Sequence, residues 1–195
     1  MEFHSLSTID LLSVMVGKAR AAQLLRDSRG SIATLLSQTT APYRVDTSAS
    51  QRLGAARELV RRSLSEQLKV GDALGSPLAV RDFLRLTLMG REHEVFLVLF
   101  LDAQNRLIEA EEMFRGTLTQ TSVYPREVVK RSLHFNAAGV IFAHNHPSGL
   151  AEPSYADESL TRALKQALAV VDVKVLDHFV IGSNVITSFS ERGIL

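Results

Sequence analysis

Ala143-His144-Asn145-His146-Pro147-Ser148-Gly149-Leu150-Ala151-Glu152-Pro153-Ser154-Tyr155-Ala156-Asp157 is the stretch from which the rest of the chain is best read. The apolar residues just before it, 138–143, suit a buried strand, so His144 and His146 stand at i and i+2 where that strand ends. On an extended chain two such imidazoles point to the same face. Pro147 and Gly149 stop the strand and leave the pair at a mouth rather than in a core. Asp157 falls in the first turn of a helix expected over 154–171, and a loop returning over the strand end brings its carboxylate to the histidines. Two imidazoles and one carboxylate, with water in the fourth position, form an open catalytic zinc site. Zinc lowers the pKa of such a water to about 7. The same residues also have simpler uses. Ser154 with Asp157 is a helix N-cap carrying a negative charge in the first turn, and paired strand-end histidines serve as loop hydrogen bonders. Capping and ligation are compatible, because a cap determines where Asp157 points.

Working outward, a helix is expected over 76–88, and the continuous apolar run Val95-Phe96-Leu97-Val98-Leu99-Phe100-Leu101 reads as a strand buried on both faces. Residues 102–105 make a turn and 106–112 the return strand of a hairpin. A helix over 122–135 carries Pro125 near its start, where a missing N–H does no harm. Strands near 173–182 and 185–189 follow the helix at 154–171. The order strand–strand–helix–strand–helix–strand–strand describes a layered, mixed α/β domain.

The first 70 residues read as short helices. Leu11, Leu12, Val14 and Met15 begin one that continues through Ala21 to Arg26. A turn at Ser28-Arg29-Gly30 precedes a second helix over 32–37, and residues 39–42 form a loop. A longer amphipathic helix runs over 48–68, with Leu53, Ala56, Leu59, Val60 and Leu64 on one stripe. Residues 71–77, with two glycines and a proline, make the best linker.

Composition removes several classes of function. The chain has 195 residues, no cysteine and six histidines. Disulfides, iron–sulfur clusters, thiol nucleophiles and cysteine zinc sites are thereby excluded, so any metal is held by His and carboxylate. The longest apolar run is too short to cross a bilayer, and the N-terminus lacks the basic and apolar regions of a secretory signal. The expected setting is cytoplasmic, with no membrane partner. The net charge of +1 conceals an asymmetry: residues 1–70 carry ten Lys or Arg against six Asp or Glu, and the remainder twelve against fifteen. The basic excess sits on Arg52, Arg57, Arg61, Arg62 and Lys69 of one helical segment. Such a patch favours phosphate backbones, although a solvated helix face is the commoner outcome.

His-x-His-Pro followed by Ser-x-x-Asp, with ten residues between His146 and Asp157, resembles the JAMM (MPN-plus) metal motif. More narrowly, Tyr124-Pro125-Arg126-Glu127, His144-Asn145-His146-Pro147-Ser148-Gly149, Pro153-Ser154, Leu176-Asp177-His178 and Phe114-Arg115-Gly116-Thr117 resemble the bacterial RadC-like family over residues 75–195. The resemblance implies a JAMM, cytidine-deaminase-like three-layer α/β sandwich with a central mixed sheet over 76–195, preceded by a small helical domain over 1–70. It implies zinc held by His144, His146 and Asp157, and a role for Ser154 in holding the tetrahedral intermediate. It further implies a glutamate before the first core strand as general base on the metal's water. Glu94, which opens the run 95–101, is the first choice, and Glu92, two residues earlier on the same strand face, is the second. Asn145 points away from the two histidines and braces the loop, while Asp177 and His178 have structural or supporting roles. RadC-like proteins usually carry a helix-hairpin-helix region with a Gly-x-Gly turn. The corresponding turn here, Asp46-Thr47-Ser48-Ala49-Ser50, has no glycine, which hinders close approach to a phosphate.

Three functions follow as expectations. The first is a zinc-dependent JAMM metallopeptidase or isopeptidase acting on a peptide or protein. The second is a DNA-repair or recombination protein that binds nucleic acid through residues 1–70, with a nuclease or structural metal site. The third is a scaffold that keeps the fold without catalysis.

Overall fold

The run Val95–Leu101 contains no polar side chain, so only a position covered on both faces suits it. In the computed structural model, which describes residues 3–30, 32, 35–36, 47–116, 123–183 and 185–195, it lies inside a five-stranded sheet. The strands are β1 (Val95–Leu101), β2 (Leu107–Arg115), β3 (Gly139–Asn145), β4 (Lys174–Ile181) and β5 (Ile186–Ser188), in the order β2-β1-β3-β4-β5. The β3–β4 pair is parallel and the other three pairs are antiparallel, so the sheet is mixed. Every residue of β1 and β3 is buried, as their central places require.

Seven helices occur among the described residues: α1 (Thr8–Val16), α2 (Lys18–Asp27), α3 (Thr47–Val70), α4 (Pro77–Leu88), α5 (Pro125–His134), α6 (Tyr155–Ala169) and α7 (Phe189–Arg192). Strand alternation sends Leu97, Leu99, Ile141 and Ala143 to one face, where they pack with Phe83, Leu84 and Leu88 of α4. Phe96, Val98, Phe100, Val140 and Phe142 take the other face, against Val128 of α5 and Leu164 and Leu168 of α6. The result is a three-layer, mixed α/β sandwich of the expected class. His144 continues the Val140-Phe142 side of β3, which puts it beneath α6.

The chain forms two compact units, residues 1–62 and 63–195. The division falls inside α3 rather than at residues 71–77, because Leu64 and Leu68 join the core of the second unit. Three expectations for the first unit need correction. The helix expected through Arg26 is interrupted at Gly17, whose φ of 82° breaks it into α1 and α2. The expected turn at 46–50 is helical from Thr47 onward, and Asp46 lies outside the described residues. The apolar stripe of α3 is also different. Leu59 and Val60 are exposed, at 67% and 52%, whereas Leu53 and Arg57 are buried. Arg57 donates to the Leu36 carbonyl at 3.1 Å, so its apolar stem and its charge are both used in this unit. Ile32, Leu35 and Leu36 are helical as expected, while the loop at 39–42, Thr117 and Ser122 lie outside the described residues. Among the described residues, no helix is long and apolar enough to cross a membrane.

Candidate metal centre

Strand β3 delivers His144 in its last turns of pleat and releases His146 just beyond its end. The backbone still holds His146 in register, its N–H donating to the Ile181 carbonyl at 3.0 Å. His144 is 1% exposed, and its Nε2 faces His146 Nε2 at 3.0 Å. Asp157 Oδ1 lies 3.3 Å from His144 Nε2, and Oδ2 lies 3.5 Å from His146 Nε2. One ligand atom from each of the three residues falls within 4.8 Å of the others. Bonds of about 2.0–2.1 Å to a tetrahedral ion put its ligand atoms about 3.3 Å apart, so this donor set fits a metal of that kind.

The loop and helix that follow hold these groups in place. His146 Nδ1 meets the Leu150 carbonyl at 2.8 Å. A carbonyl only accepts, so Nδ1 carries the proton and the neutral ring offers a lone pair at Nε2. Ser154 caps α6 in a reciprocal capping box: Asp157 N donates to Ser154 Oγ at 3.2 Å, and Ser154 N donates to Asp157 Oδ2 at 2.7 Å. The Ser154 hydroxyl also donates to Oδ2 at 2.7 Å. Capping and presentation of the carboxylate are thus one arrangement, with the serine proton spent on Asp157.

The electrostatics favour positive charge where the three groups converge. The Asp157 hydrogen bond, outweighing partial burial, raises the His146 pKa above its ordinary value. Burial alone would raise the Asp157 carboxyl, but contacts with His144 and His146 reverse this and hold it well below the usual carboxylate range. A site that draws in a proton in this way also suits a cation.

The two candidate bases separate. Glu92 is exposed in a bend. Glu94 is half-buried immediately before β1, and the pairing of Phe96 with His144, continued by two residues, brings Glu94 alongside His146. Its charge is close enough to add to the rise in the His146 pKa. Asn145 points to the opposite face, as expected, where Val95 N–H donates to its Oδ1 at 2.9 Å and its Nδ2 donates to the His93 carbonyl at 3.0 Å.

Asp177 acts structurally: its Oδ1 accepts from Ser190 N at 3.0 Å and its Oδ2 from the Ser188 hydroxyl at 2.6 Å, tying β4 to β5 and α7. His178, fully buried, reaches His144 Nδ1 with its Nε2 at 2.9 Å and Thr161 Oγ1 with its Nδ1 at 2.6 Å. Burial pushes the His178 pKa well down, so the ring is neutral. Sequence reasoning missed Thr161. A signal existed: 157, 161, 164 and 168 share one face of α6, and Thr161 is the polar residue between Asp157 and two core leucines.

A mixed sheet between helical layers, with a His-His-Asp cluster where a central strand gives way to a capped helix, defines an α/β sandwich of the JAB/MPN type. The profile of the RadC-like JAB domain matches residues 74–194, and the chain belongs to that family. A UPF0758 protein of Nitrosomonas eutropha is 66% identical over 144 residues, which make up 74% of this chain and 64% of that protein. A UPF0758 protein of Dechloromonas aromatica is 52% identical over 204 aligned positions, or 98% of this chain and 90% of that one. One from Methylibium petroleiphilum is 54% identical over 183, or 92% and 82%. The chain thus spans 64% of the length of the Nitrosomonas eutropha relative, and none of these names carries an activity.

Proposed function

We propose that this chain is a zinc-dependent hydrolase of the JAMM type, acting on a peptide or isopeptide bond. The observation that carries the reading is the convergence of His144 Nε2, His146 Nε2 and the Asp157 carboxylate, with the second nitrogen of each ring already hydrogen-bonded. Zinc held by these three residues would supply Lewis acidity and acidify a water molecule. Glu94 accepts the proton of the attacking water and returns it to the departing amine as the new C–O bond replaces the C–N bond. Ser154 orients Asp157. Its exposed hydroxyl can turn from that carboxylate toward the oxyanion that develops on the substrate carbonyl.

The nucleic-acid alternative draws less support from the first unit. Arg57 is buried on the Leu36 carbonyl, Arg61 and Arg62 pair with Glu58, and Arg52 donates to the Met15 carbonyl at 2.8 Å. Much of the basic excess is therefore engaged within that unit.

Elemental analysis of the wild type and His146→Ala tests the centre: zinc stoichiometric in the first and lost in the second is expected, and equal zinc in both would overturn it. Glu94→Gln, loaded with zinc, should retain the metal and lose peptide or isopeptide hydrolysis. Unchanged turnover removes Glu94 from the role. Salt-sensitive DNA affinity that disappears when the Arg52, Arg61 and Arg62 charges are removed would instead favour the alternative.

A further inference from the structure

We propose that Thr161 and His178 are positioning residues that set the tautomer of His144, keeping its Nε2 unprotonated and aimed at the cluster. The inference rests on the metal reading for its purpose, but its geometry stands apart from any metal.

The direction of each proton follows from donor and acceptor chemistry. Thr161 Oγ1 lies 2.6 Å from the Asp157 carbonyl and 2.6 Å from His178 Nδ1. A carbonyl can only accept, so the single hydroxyl proton goes to Asp157. The hydroxyl then accepts from His178, which places the proton of that neutral ring on Nδ1. His178 Nε2 is left as an acceptor, and at 2.9 Å it takes the proton of His144 Nδ1. In its neutral form His144 then has its lone pair at Nε2, facing His146 Nε2 at 3.0 Å. The order is His144 Nδ1–H to His178 Nε2, His178 Nδ1–H to Thr161 Oγ1, and Thr161 Oγ1–H to the Asp157 carbonyl.

The surroundings leave this order little freedom. His178 is 0% exposed and Thr161 1%. The His178 ring stacks on Phe189 with centroids 4.6 Å apart and meets Phe96 and Phe142 edge-on at 5.6 and 5.8 Å. A ring boxed in by three phenyl groups cannot turn over to exchange its nitrogens without displacing core side chains. The path also starts and ends on two of the three proposed ligands. Asp157 offers its side chain to the cluster while its backbone carbonyl fixes the far end of the relay. His146 is tied separately by the Leu150 carbonyl. Hydrogen-bond partners behind metal-bound histidines typically change affinity by about 10–100-fold when removed.

Long-range proton–nitrogen correlation of imidazole-labelled, metal-stripped full chain, at mildly alkaline pH, reads the tautomers directly. The wild type should show His144 and His178 both protonated at Nδ1. Thr161→Val, nearly isosteric, deprives His178 Nδ1 of its acceptor. His144 should then populate the Nε2–H form, with zinc Kd rising about 10–100-fold. Thr161→Ser should restore both readings, a recovery that bulk packing alone does not explain. Should Thr161→Val fail to fold, His178→Gln compared with His178→Leu decides the matter. The Gln Oε1 takes the acceptor place of Nε2 and retains the His144 tautomer, whereas Leu does not. His144 found as the Nε2–H form in the wild type, or unchanged in folded Thr161→Val, overturns the proposal. Tautomers that respond as described in a wild type that binds no zinc support the relay and sink the metal reading.

Discussion

Asn145 grips the backbone on either side of Glu94. Its Oδ1 accepts from Val95 N–H at 2.9 Å and its Nδ2 donates to the His93 carbonyl at 3.0 Å. Residue 145 stands between the two histidines in sequence but on the opposite face of β3, so one strand presents the ligands on one side and anchors the candidate base through the other. In the proposed hydrolase, Asn145→Ala should lower kcat by about 10²-fold, the scale of an ångström-size misplacement. Zinc content and KM should stay close to wild type. Loss of one buried and one partly buried hydrogen bond should also cost about 1–3 kcal/mol of stability, read by denaturant unfolding. Full turnover in a folded, metal-loaded Asn145→Ala would show that Glu94 needs no such anchor.

The parts of this arrangement legible in the sequence were those that depend on local period and capping. Strand alternation placed His144 and His146 together and Asn145 opposite, and Ser154 with Asp157 announced a helix start. Thr161 was hidden because its role arises only when α6 lies against β4, a tertiary relation that neither segment states alone. The stripe of α3 failed for another reason. An arginine with a long apolar stem competes with leucine for a buried place, and Arg57 won it by reaching the Leu36 carbonyl. Leu59 and Val60 were left outside. Gly17 escaped notice because one glycine in a helical pattern is tolerated unless φ turns positive, as it does there.

Gly182 is expected to be intolerant of a side chain. A Cβ at this position would stand 2.5 Å from the Gly149 carbonyl oxygen and 2.9 Å from Ala151 N, and backbone cannot yield as a flexible side chain does. The strand-end turn must move instead, and with it the Leu150 carbonyl that holds His146 Nδ1. Gly182→Ala should cost about 1–3 kcal/mol, lowering Tm by about 2–4 °C for each of these, and weaken zinc binding. A variant with wild-type Tm and metal affinity would show that the turn has slack there.

In the first unit, Glu58 should titrate far below an ordinary glutamate. Hydrogen bonds from Arg61 and Arg62 lower its pKa to about 2 from 4.5. The folded value lies below the unfolded one, so the stabilisation is present above about pH 4.5 and is lost as pH falls through about 2. The Glu58 side chain is 42% exposed, so solvent screening holds the pairing's worth to about 0.2–1 kcal/mol. Carbon-detected titration should find the low midpoint, and Glu58→Gln should flatten this part of the stability profile. A midpoint near 4.5 would remove the pairing.

At the proposed centre, protons and metal should compete for the same lone pairs. Asp157 is the largest influence on His146 and raises its pKa above 6.5. The neutral ring is the form that binds metal, so zinc affinity should be level above the raised pKa. Below it, affinity should fall about tenfold per pH unit while one proton is displaced. The fall therefore begins at a higher pH than an unperturbed histidine would give. NMR titration of the metal-free chain separates this cause from others: Asp157→Asn removes the carboxylate and should bring the His146 midpoint down. A midpoint unmoved by that substitution would mean that the carboxylate does not set the charge of the ring, and the onset of metal loss would then follow the ordinary value.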